Sequence, residues 1–291
     1  MVFLCYYLHM PEFYITKYNG EKELFDPQKL KASLFKIGTT PEVADLVMRE
    51  VGKNVKDGTT TREIYRQAFS LLKKHERPVA ARYSLKKAVA DFGPTGFPFE
   101  KYVAEIFKAQ GFGIDTDRII KGHCVEHEID VLAWNEQKLI LTEAKFHTDF
   151  SMKSDLKVAL YIKARFDDLA NTKIMVGGKE RTMTEGWLVT NTKFSQTAIN
   201  YGQCQNLNMV GWNYPFGNNL HNMIEKAELI PLTALTTLNS AEKNMFLSRG
   251  VVLSKSLLDE SLLRELSFSD IKIKNIITEV NDLCLHCRLQ K

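Results

Sequence analysis

Two strand-like runs joined by a very short polar turn lie near the middle of the chain. The runs cover residues 125–134 and 138–146, with only Asn-Glu-Gln between them. Both are rich in apolar and β-branched residues, a composition typical of strands. A connection this short joins strands only as an antiparallel hairpin. A hairpin centred between residues 136 and 137 sets Asp130 opposite Glu143.

The segments around the hairpin predict the rest of a mixed sheet. Helical and strand-like patterns alternate, giving a helix at 99–110 before the hairpin, then a helix at 151–170, a strand at 187–190, a helix at 195–205 and a strand at 209–212. Strands connected through a crossing helix run parallel. The sequence therefore predicts antiparallel strands first and parallel strands after them, in one α/β domain.

The chain divides into further parts outside this sheet. Its 291 residues suit more than one compact unit. The run Gly93-Pro94-Thr95-Gly96 interrupts a helical pattern and is the predicted boundary. The predicted parts are a lead-in (1–11), a mainly helical front domain (12–92), the α/β domain (93–226) and a small helical domain (227–291). The predicted fold class is multidomain α+β.

Three charged side chains of the hairpin point to hydrolytic chemistry. Glu143 and Lys145 are two residues apart in one strand and so face the same way. Asp130, directly opposite Glu143, would have its Cβ about 5 Å away. Two carboxylates this close favour a hard cation between them, such as Mg²⁺ or Mn²⁺. The metal would activate water, Lys145 would orient or deprotonate it, and a phosphodiester would be hydrolysed.

Glu100 is a further candidate for this site. It shares a helix stripe with Val103 and Phe107, so it faces inward, where an unpartnered carboxylate is costly. Either of two partners would offset this cost: the metal, with Glu100 as a third acidic group near it, or a buried Lys or Arg in a salt bridge.

Residues 96–212 resemble a known nuclease family. The segments GFPFEKYVAEIFKAQGF, CVEHEIDVLAW, LTEAKFH and WLVTNTKFSQTAINYGQ are similar to the Mrr-like restriction endonuclease domain of the PD-(D/E)xK superfamily. The resemblance implies that Asp130 and Glu143 bind the metal, that the Ala144 carbonyl completes its shell, that Lys145 positions the water and that Glu100 assists. It also implies double-stranded DNA as substrate, a cytoplasmic setting and a homo-oligomer, a dimer or tetramer, because cutting both strands needs two sites.

Several neighbours of the site have two readings. Glu128 is a further metal ligand or a solvated edge charge, and His127 and His147 contact phosphate or are hydrogen-bonding bystanders. The next helix carries basic residues that either contact the DNA backbone or belong to a solvated face, since acidic residues are interspersed among them: Lys153, Lys157, Lys163 and Arg165.

The front domain resembles the ATP-cone domain. The resemblance spans about 12–90 and rests on ITKYNG followed by Phe25-Asp26 and Lys29, and on helices ending in AARYSLKKA. It implies ATP or dATP as a regulatory ligand. The implied nucleotide-binding residues are Lys17 and Lys29 for the phosphates, Glu23 and Asp26 in the pocket, and Thr61 and Tyr65 along its wall.

The remaining features constrain function less. The tail loosely resembles a helix-hairpin-helix DNA-binding module, with plain packing or dimerisation as the other reading. Cys284-x-x-Cys287 would supply two zinc ligands where a structural site needs four. No run is long and apolar enough for a bilayer, and scattered cysteines indicate a reducing compartment. A net charge of +4 means that nucleic acid would bind through a local patch.

Two functions follow from these observations. The leading hypothesis is a metal-dependent DNA endonuclease, regulated by ATP or dATP, in restriction or defence against foreign DNA. The alternative is a non-catalytic, nucleotide-responsive DNA-binding regulator that keeps the nuclease fold as a binding platform.

Overall fold

The computed structural model describes residues 13–17 and 20–288, and the chain divides into two compact units between Ser84 and Leu85. This division precedes the boundary predicted at Gly93. The difference arises because the helix that follows Ser84 packs with the second unit: Thr233 Oγ1 donates a hydrogen bond to the Ala88 carbonyl over 2.5 Å. The predicted lead-in lies outside the described residues.

The first unit is a small hairpin followed by a helical bundle, as its sequence pattern predicts. Strands β1 (Tyr14–Thr16) and β2 (Lys22–Leu24) pair antiparallel. Four helices follow, namely α1 (Pro27–Lys36), α2 (Pro41–Asn54), α3 (Thr61–His75) and α4 (Arg77–Tyr83). Their apolar faces enclose a core that includes Leu34, Val51 and Leu72, each fully buried.

The second unit is built on a five-stranded mixed sheet, which confirms the predicted topology. The chain runs through α5 (Leu85–Ala90), α6 (Phe97–Ala109), β3 (Gly113–Lys121), β4 (Glu126–Trp134) and β5 (Leu139–Lys145). β3, β4 and β5 pair antiparallel. β9 (Glu185–Thr190) and β11 (Asn208–Val210), met later in the chain, extend the sheet in parallel with β5, so its order is β11-β9-β5-β4-β3. The sequence had not predicted β3.

Helices cover both faces of this sheet. Between β5 and β9 lie β6 (Lys153–Ser154), α7 (Leu156–Leu169) and the hairpin of β7 (Ile174–Val176) and β8 (Lys179–Arg181); between β9 and β11 lie β10 (Lys193–Phe194) and α8 (Gln196–Cys204). α7 and α8 share a core with Leu141 and Leu188 on one face. On the other face α6 packs Phe99 against Phe146, with ring centroids 5.7 Å apart.

The helix predicted to begin at residue 151 begins at Leu156. Asp155 is its N-cap and accepts the Val158 N–H over 3.3 Å. The two residues before Asp155 are extended because they form β6, which pairs parallel with β10.

The C-terminal region is helical and packs into the second unit. It contains α9 (Leu220–Lys226), α10 (Ser240–Ser248), α11 (Glu260–Glu265) and α12 (Asp270–Arg288), with 3₁₀ turns at Leu232–Ala234 and Ser254–Leu258. The resemblance of this region to a helix-hairpin-helix module stays a prediction. Within the described residues, no helix is long and apolar enough to cross a membrane.

Candidate functional site

The register of the central hairpin is the one predicted. Val131 pairs with Thr142 and Trp134 with Leu139, and the pairing ends there. The same register continued by one position brings Asp130 to Glu143, whose charge acts on Asp130. Both carboxylates are therefore carried to the end of the hairpin that is remote from its turn.

The hairpin is distorted where Asp130 lies. Asp130 Oδ2 accepts the Ala144 main-chain N–H over 2.7 Å, so the side chain takes a position that a carbonyl would hold in a regular ladder. On the neighbouring strand β3, Asp117 has φ 57°, a left-handed conformation that is rare for a non-glycine residue. The alternation of side chains between the two faces of β4 is also broken, because Ile129 and Leu132 both enter the core beneath α7. Such local strain is typical of functional sites.

Arg165, on α7, is brought directly to Glu143. Its Nη1 lies 2.6 Å from Glu143 Oε2, and the two side chains are only 11% and 15% exposed. Nη2 of Arg165 donates to the Glu128 carbonyl, and the guanidinium lies over the Tyr161 ring. The sequence offered Arg165 as a DNA-backbone contact or a solvated charge, and the structure supports neither. It is instead the cation that neutralises Glu143.

Burial and nearby carboxylates raise the pKa of two acidic groups of the site, Asp130 and Glu100. Burial, followed by the charge of Glu143, raises the pKa of Asp130 to about 7, against the opposing hydrogen bond from Ala144 N–H. The pKa of Glu100 is also raised, chiefly by burial and then by Asp117 and Glu143. Glu100 is thus electrostatically part of this cluster. The charges that act most strongly on Glu100 are those of other carboxylates, which raise its pKa. Lys101 lowers this pKa by less.

Lys145 ends β5 and is exposed, while Ala144 beside it is buried. The alternation of the strand puts Lys145 on the face of Glu143, and Phe146 packs on the opposite face as predicted. Burial, and after it the charge of Lys145, lowers the pKa of His147. His147 is held by Ser154, whose Oγ lies 3.1 Å from Nε2.

His127 and Lys163, two of the other neighbours, have structural partners. His127 Nε2 lies 2.8 Å from Asp168 Oδ2, and the same carboxylate accepts the main-chain N–H groups of Cys124 and Val125. Asp168 thereby fixes the turn that leads into β4. Lys163 pairs with Asp167 one helical turn on.

The donor set fits a hard divalent cation in its chemistry. The oxygens available are the carboxylates of Asp130 and Glu143 and the carbonyl of Ala144. In the part of the chain that the structure describes, no group of three His, Cys, Asp or Glu side chains encloses a metal position. Mg²⁺ is commonly bound through one or two carboxylates with waters completing its octahedron. The side chains of Cys284 and Cys287, the suggested zinc ligands, lie outside the description.

In the first unit, three of the predicted nucleotide-binding residues come together. Glu23 on β2 forms ion pairs with both Lys17 and Lys29. These two hydrogen bonds, that from Lys17 foremost, lower the pKa of Glu23 to about 2. The lysines therefore form a cationic pair held by one carboxylate.

The other three have local structural roles. Asp26 caps α1 by accepting the Gln28 N–H over 2.9 Å. Thr61 is the first residue of α3. It is brought toward Lys17 because Thr16 N–H donates to the Thr59 carbonyl over 3.0 Å. Tyr65 stacks on Tyr83, with centroids 5.1 Å apart.

Comparison with known proteins first defines the front unit. Residues 13–89 match the model of the ATP cone domain, which confirms that prediction and supports nucleotide binding. Residues 231–284 match the model described as AF1548-like, C-terminal.

Two relatives each cover more than half of the chain. An uncharacterized protein of Archaeoglobus fulgidus is 31% identical over 179 residues, covering 61% of this chain and 97% of the relative. The crystal structure of AF1548, a protein of unknown function, has 30% identity and a TM-score of 0.54, covering 65% of this chain and 98% of that one. The chain belongs to the AF1548-like family.

Two further solved structures are much less similar. One is Can2 from Sulfobacillus thermosulfidooxidans in complex with cyclic tetra-adenylate, at 16% identity and a TM-score of 0.31, covering 72% of this chain and 64% of that one. The other is MspJI restriction endonuclease in complex with a 27-mer oligonucleotide, at 11% identity and a TM-score of 0.28, covering 73% and 44%. Likenesses this low carry no argument about function.

Proposed function

We propose that the protein is a Mg²⁺- or Mn²⁺-dependent endonuclease that hydrolyses double-stranded DNA and is regulated by ATP or dATP. The observation that carries the proposal is the end of the β4–β5 hairpin. There Asp130 opposes Glu143, Lys145 shares the face of Glu143, and burial raises the pKa of Asp130 to about 7. A site that raises the energy of its own carboxylates in this way favours the arrival of a cation.

Each residue has a distinct role in the proposed reaction. Asp130 and Glu143 hold the cation together with the Ala144 carbonyl, and the hydrogen bond from Ala144 N–H fixes the Asp130 carboxylate. When bound, the cation supplies charge neutralisation at phosphorus and a more acidic water. Lys145 orients that water or takes its proton. Glu100, half-buried with a raised pKa, assists through a water or as a proton carrier.

The ATP cone supplies the regulatory part of the proposal. Lys17 and Lys29 take the nucleotide phosphates, with Glu23 poised to release them as the anion approaches. Asp26 shapes the pocket through the start of α1, and Thr61 and Tyr65 line it. A homo-oligomer, dimer or tetramer, would place two hydrolytic sites on one duplex, in restriction or defence against foreign DNA.

One observation favours the second candidate, a non-catalytic regulator that binds DNA in response to nucleotide. Arg165 already neutralises Glu143 over 2.6 Å. A site completed by its own arginine is stable without a cation and would serve as a binding platform.

Cleavage of supercoiled plasmid separates the two candidates. The wild type is incubated with Mg²⁺ or Mn²⁺, with and without ATP or dATP, beside Lys145→Ala and a control, Lys179→Ala, on the β7–β8 hairpin. We expect nicked and linear products from the wild type and control, changed in rate by nucleotide, and a loss of at least a hundredfold in Lys145→Ala. Tight binding of DNA without cleavage would establish the regulator instead. Equal cleavage by Lys145→Ala would refute the site.

A further inference from the structure

Three lysines lie beside the site without an acidic partner among the described residues. Lys153 and Lys193 are Cα partners in the parallel pair of β6 and β10, and both are exposed. Lys86, on α5, is close enough to Lys193 for the two charges to repel each other. We call these three residues the lysine face. None of them forms an ion pair with a described residue.

Opposed like charges destabilise a strand pair. Two nearby lysines are neutralised by ion pairs, Lys163 with Asp167 and Lys87 with Asp91. The closest carboxylates to the lysine face along the chain are engaged elsewhere: Asp155 caps α7, and Asp149 accepts the Ser151 N–H over 2.7 Å. The lysine face therefore carries an unneutralised positive charge within the folded unit.

Lys86 is the most constrained member. Its ammonium lies 5.1 Å from the centroid of Phe150 and 6.0 Å from that of Trp212. Trp212 is placed beside Lys193 because its N–H donates to the Thr192 carbonyl over 2.8 Å. Burial and the charge of Lys193 lower the pKa of Lys86. An anion seated between these two ammonium groups would relieve both costs.

The sheet topology places the lysine face next to Lys145. β5, β9 and β11 are parallel, so their carboxyl ends lie at the same end of the sheet. Lys145 ends β5, while Lys193 and Trp212 follow shortly after the ends of β9 and β11. His147 is close to both Lys145 and the lysine face. The charge of Lys145 acts on its imidazole, and its Nε2 contacts Ser154, the neighbour of Lys153.

The lysine face carries charge of one sign close to the proposed hydrolytic lysine. Neighbouring strands lie about 4.8 Å apart, so the ends of β5 and β9 are close at the backbone. Lysines that neutralise backbone phosphates supply the sequence-independent part of DNA affinity.

We propose that Lys86, Lys153 and Lys193 bind the DNA backbone next to the scissile phosphate and so set the path of the substrate strand across the site. This inference rests on the proposed nuclease function, because it takes Lys145 as the point of cleavage. Lys86 holds its phosphate from a fixed position between Phe150 and Trp212, whereas Lys153 and Lys193 contact theirs from the surface.

The test measures binding separately from cleavage. Anisotropy of a labelled duplex is titrated in EDTA over a range of salt concentrations, with the wild type, Lys153→Gln, Lys193→Gln and the double variant Lys86→Gln with Lys193→Gln. The control is Lys179→Gln, an exposed lysine on the β7–β8 hairpin. We expect the slope of log K against log salt to fall by about 1 for each single variant and by about 2 for the double variant. The control should retain the wild-type slope.

Unfolding temperatures exclude a trivial loss of fold. Because the lysine face holds like charges, Lys153→Gln and Lys193→Gln should be at least as stable as the wild type. A wild-type salt slope in these stable variants overturns the inference, and so does a wild type that binds no duplex in EDTA. A lysine-dependent slope in a protein that never cuts refutes the nuclease and with it the place of the scissile phosphate, and leaves the lysine face as a DNA-binding surface of the regulator. Cleavage with unchanged slopes supports the nuclease and overturns the inference.

Discussion

Replacing Arg165 with Gln tests the electrostatics of the site most directly. The Arg165 guanidinium lies 2.6 Å from Glu143, with side chains 11% and 15% exposed. Glu143 lies opposite Asp130, so removal of the guanidinium leaves two neighbouring carboxylates and no cation between them. Gln keeps a polar side chain with a hydrogen-bond donor but is uncharged and shorter, so the variant removes the positive charge at Glu143.

The expected magnitude follows from burial. Breaking a buried ion pair by removing one partner costs about 3–5 kcal/mol, because an unpaired buried charge remains. For a unit of this size, each kcal/mol lowers the unfolding temperature by about 2–4 °C, so a fall of about 6–20 °C is expected. The matched control is Arg118→Gln, whose partner Asp115 lies 2.5 Å away with both side chains nearly 40% exposed. Surface pairs contribute about 0–1 kcal/mol.

Thermal unfolding followed by circular dichroism is measured in EDTA and again in Mg²⁺. Without Arg165, Glu143 loses the cation that contacts it directly, so Mg²⁺ should raise the unfolding temperature of Arg165→Gln more than that of the wild type. A cation at a hundred times its Kd contributes about 2.7 kcal/mol, enough to restore much of the loss. If Arg165→Gln loses no more stability than Arg118→Gln, or if Mg²⁺ shifts variant and wild type equally, the reasoning is refuted.

Three further results are expected. Glu279 is buried and accepts two main-chain N–H groups and one hydroxyl over 2.7–2.9 Å, so Glu279→Ala should lower the free energy of unfolding by about 3 kcal/mol in urea titrations. The hydrogen bond from His127 holds the pKa of Asp168 well below its usual range. The ionised Asp168 therefore contributes its full stability above about pH 4, and this contribution is lost as pH falls further. The difference in free energy of unfolding between wild type and Asp168→Asn should close below about pH 4. Lys29→Met should weaken ATP binding by the full chain about tenfold in calorimetry, because a phosphate-contacting ammonium contributes about 1.4 kcal/mol, and unchanged affinity would remove Lys29 from the nucleotide site.

The central hairpin could be predicted because its determinants are local. Two apolar runs and a turn of a few residues leave little freedom of register, and burial of Leu141 and Val131 on opposite faces fixes the rest. A shift by one residue would move every side chain of one strand to the opposite face of the sheet. The relation between Asp130 and Glu143 follows from that register alone.

β3 could not be predicted on the same grounds. It is an edge strand, and the only buried residue in its sequence GIDTDRIIK is Ile120, so the pattern has no apolar face to show. Its pairing depends on β4 being already in place. The left-handed conformation of Asp117 is likewise a response to the partner strand, since it lies beside the point where Asp130 binds Ala144 N–H.

Arg165 shows where sequence reasoning about the site ends and what would extend it. The buried stripe of α7 is readable from the periodicity of Ala159, Ile162, Phe166 and Leu169. Arg165 lies beside this stripe, one residue before Phe166, so its stem follows the core while its charged end reaches beyond the core's edge. Which strand it meets depends on how the crossover seats α7 on the sheet, and that is a tertiary property. A charged residue bordering such a stripe, next to strands that end in neighbouring carboxylates, is nonetheless a strong candidate for the neutralising cation, because close carboxylates repel each other unless a positive charge lies near them.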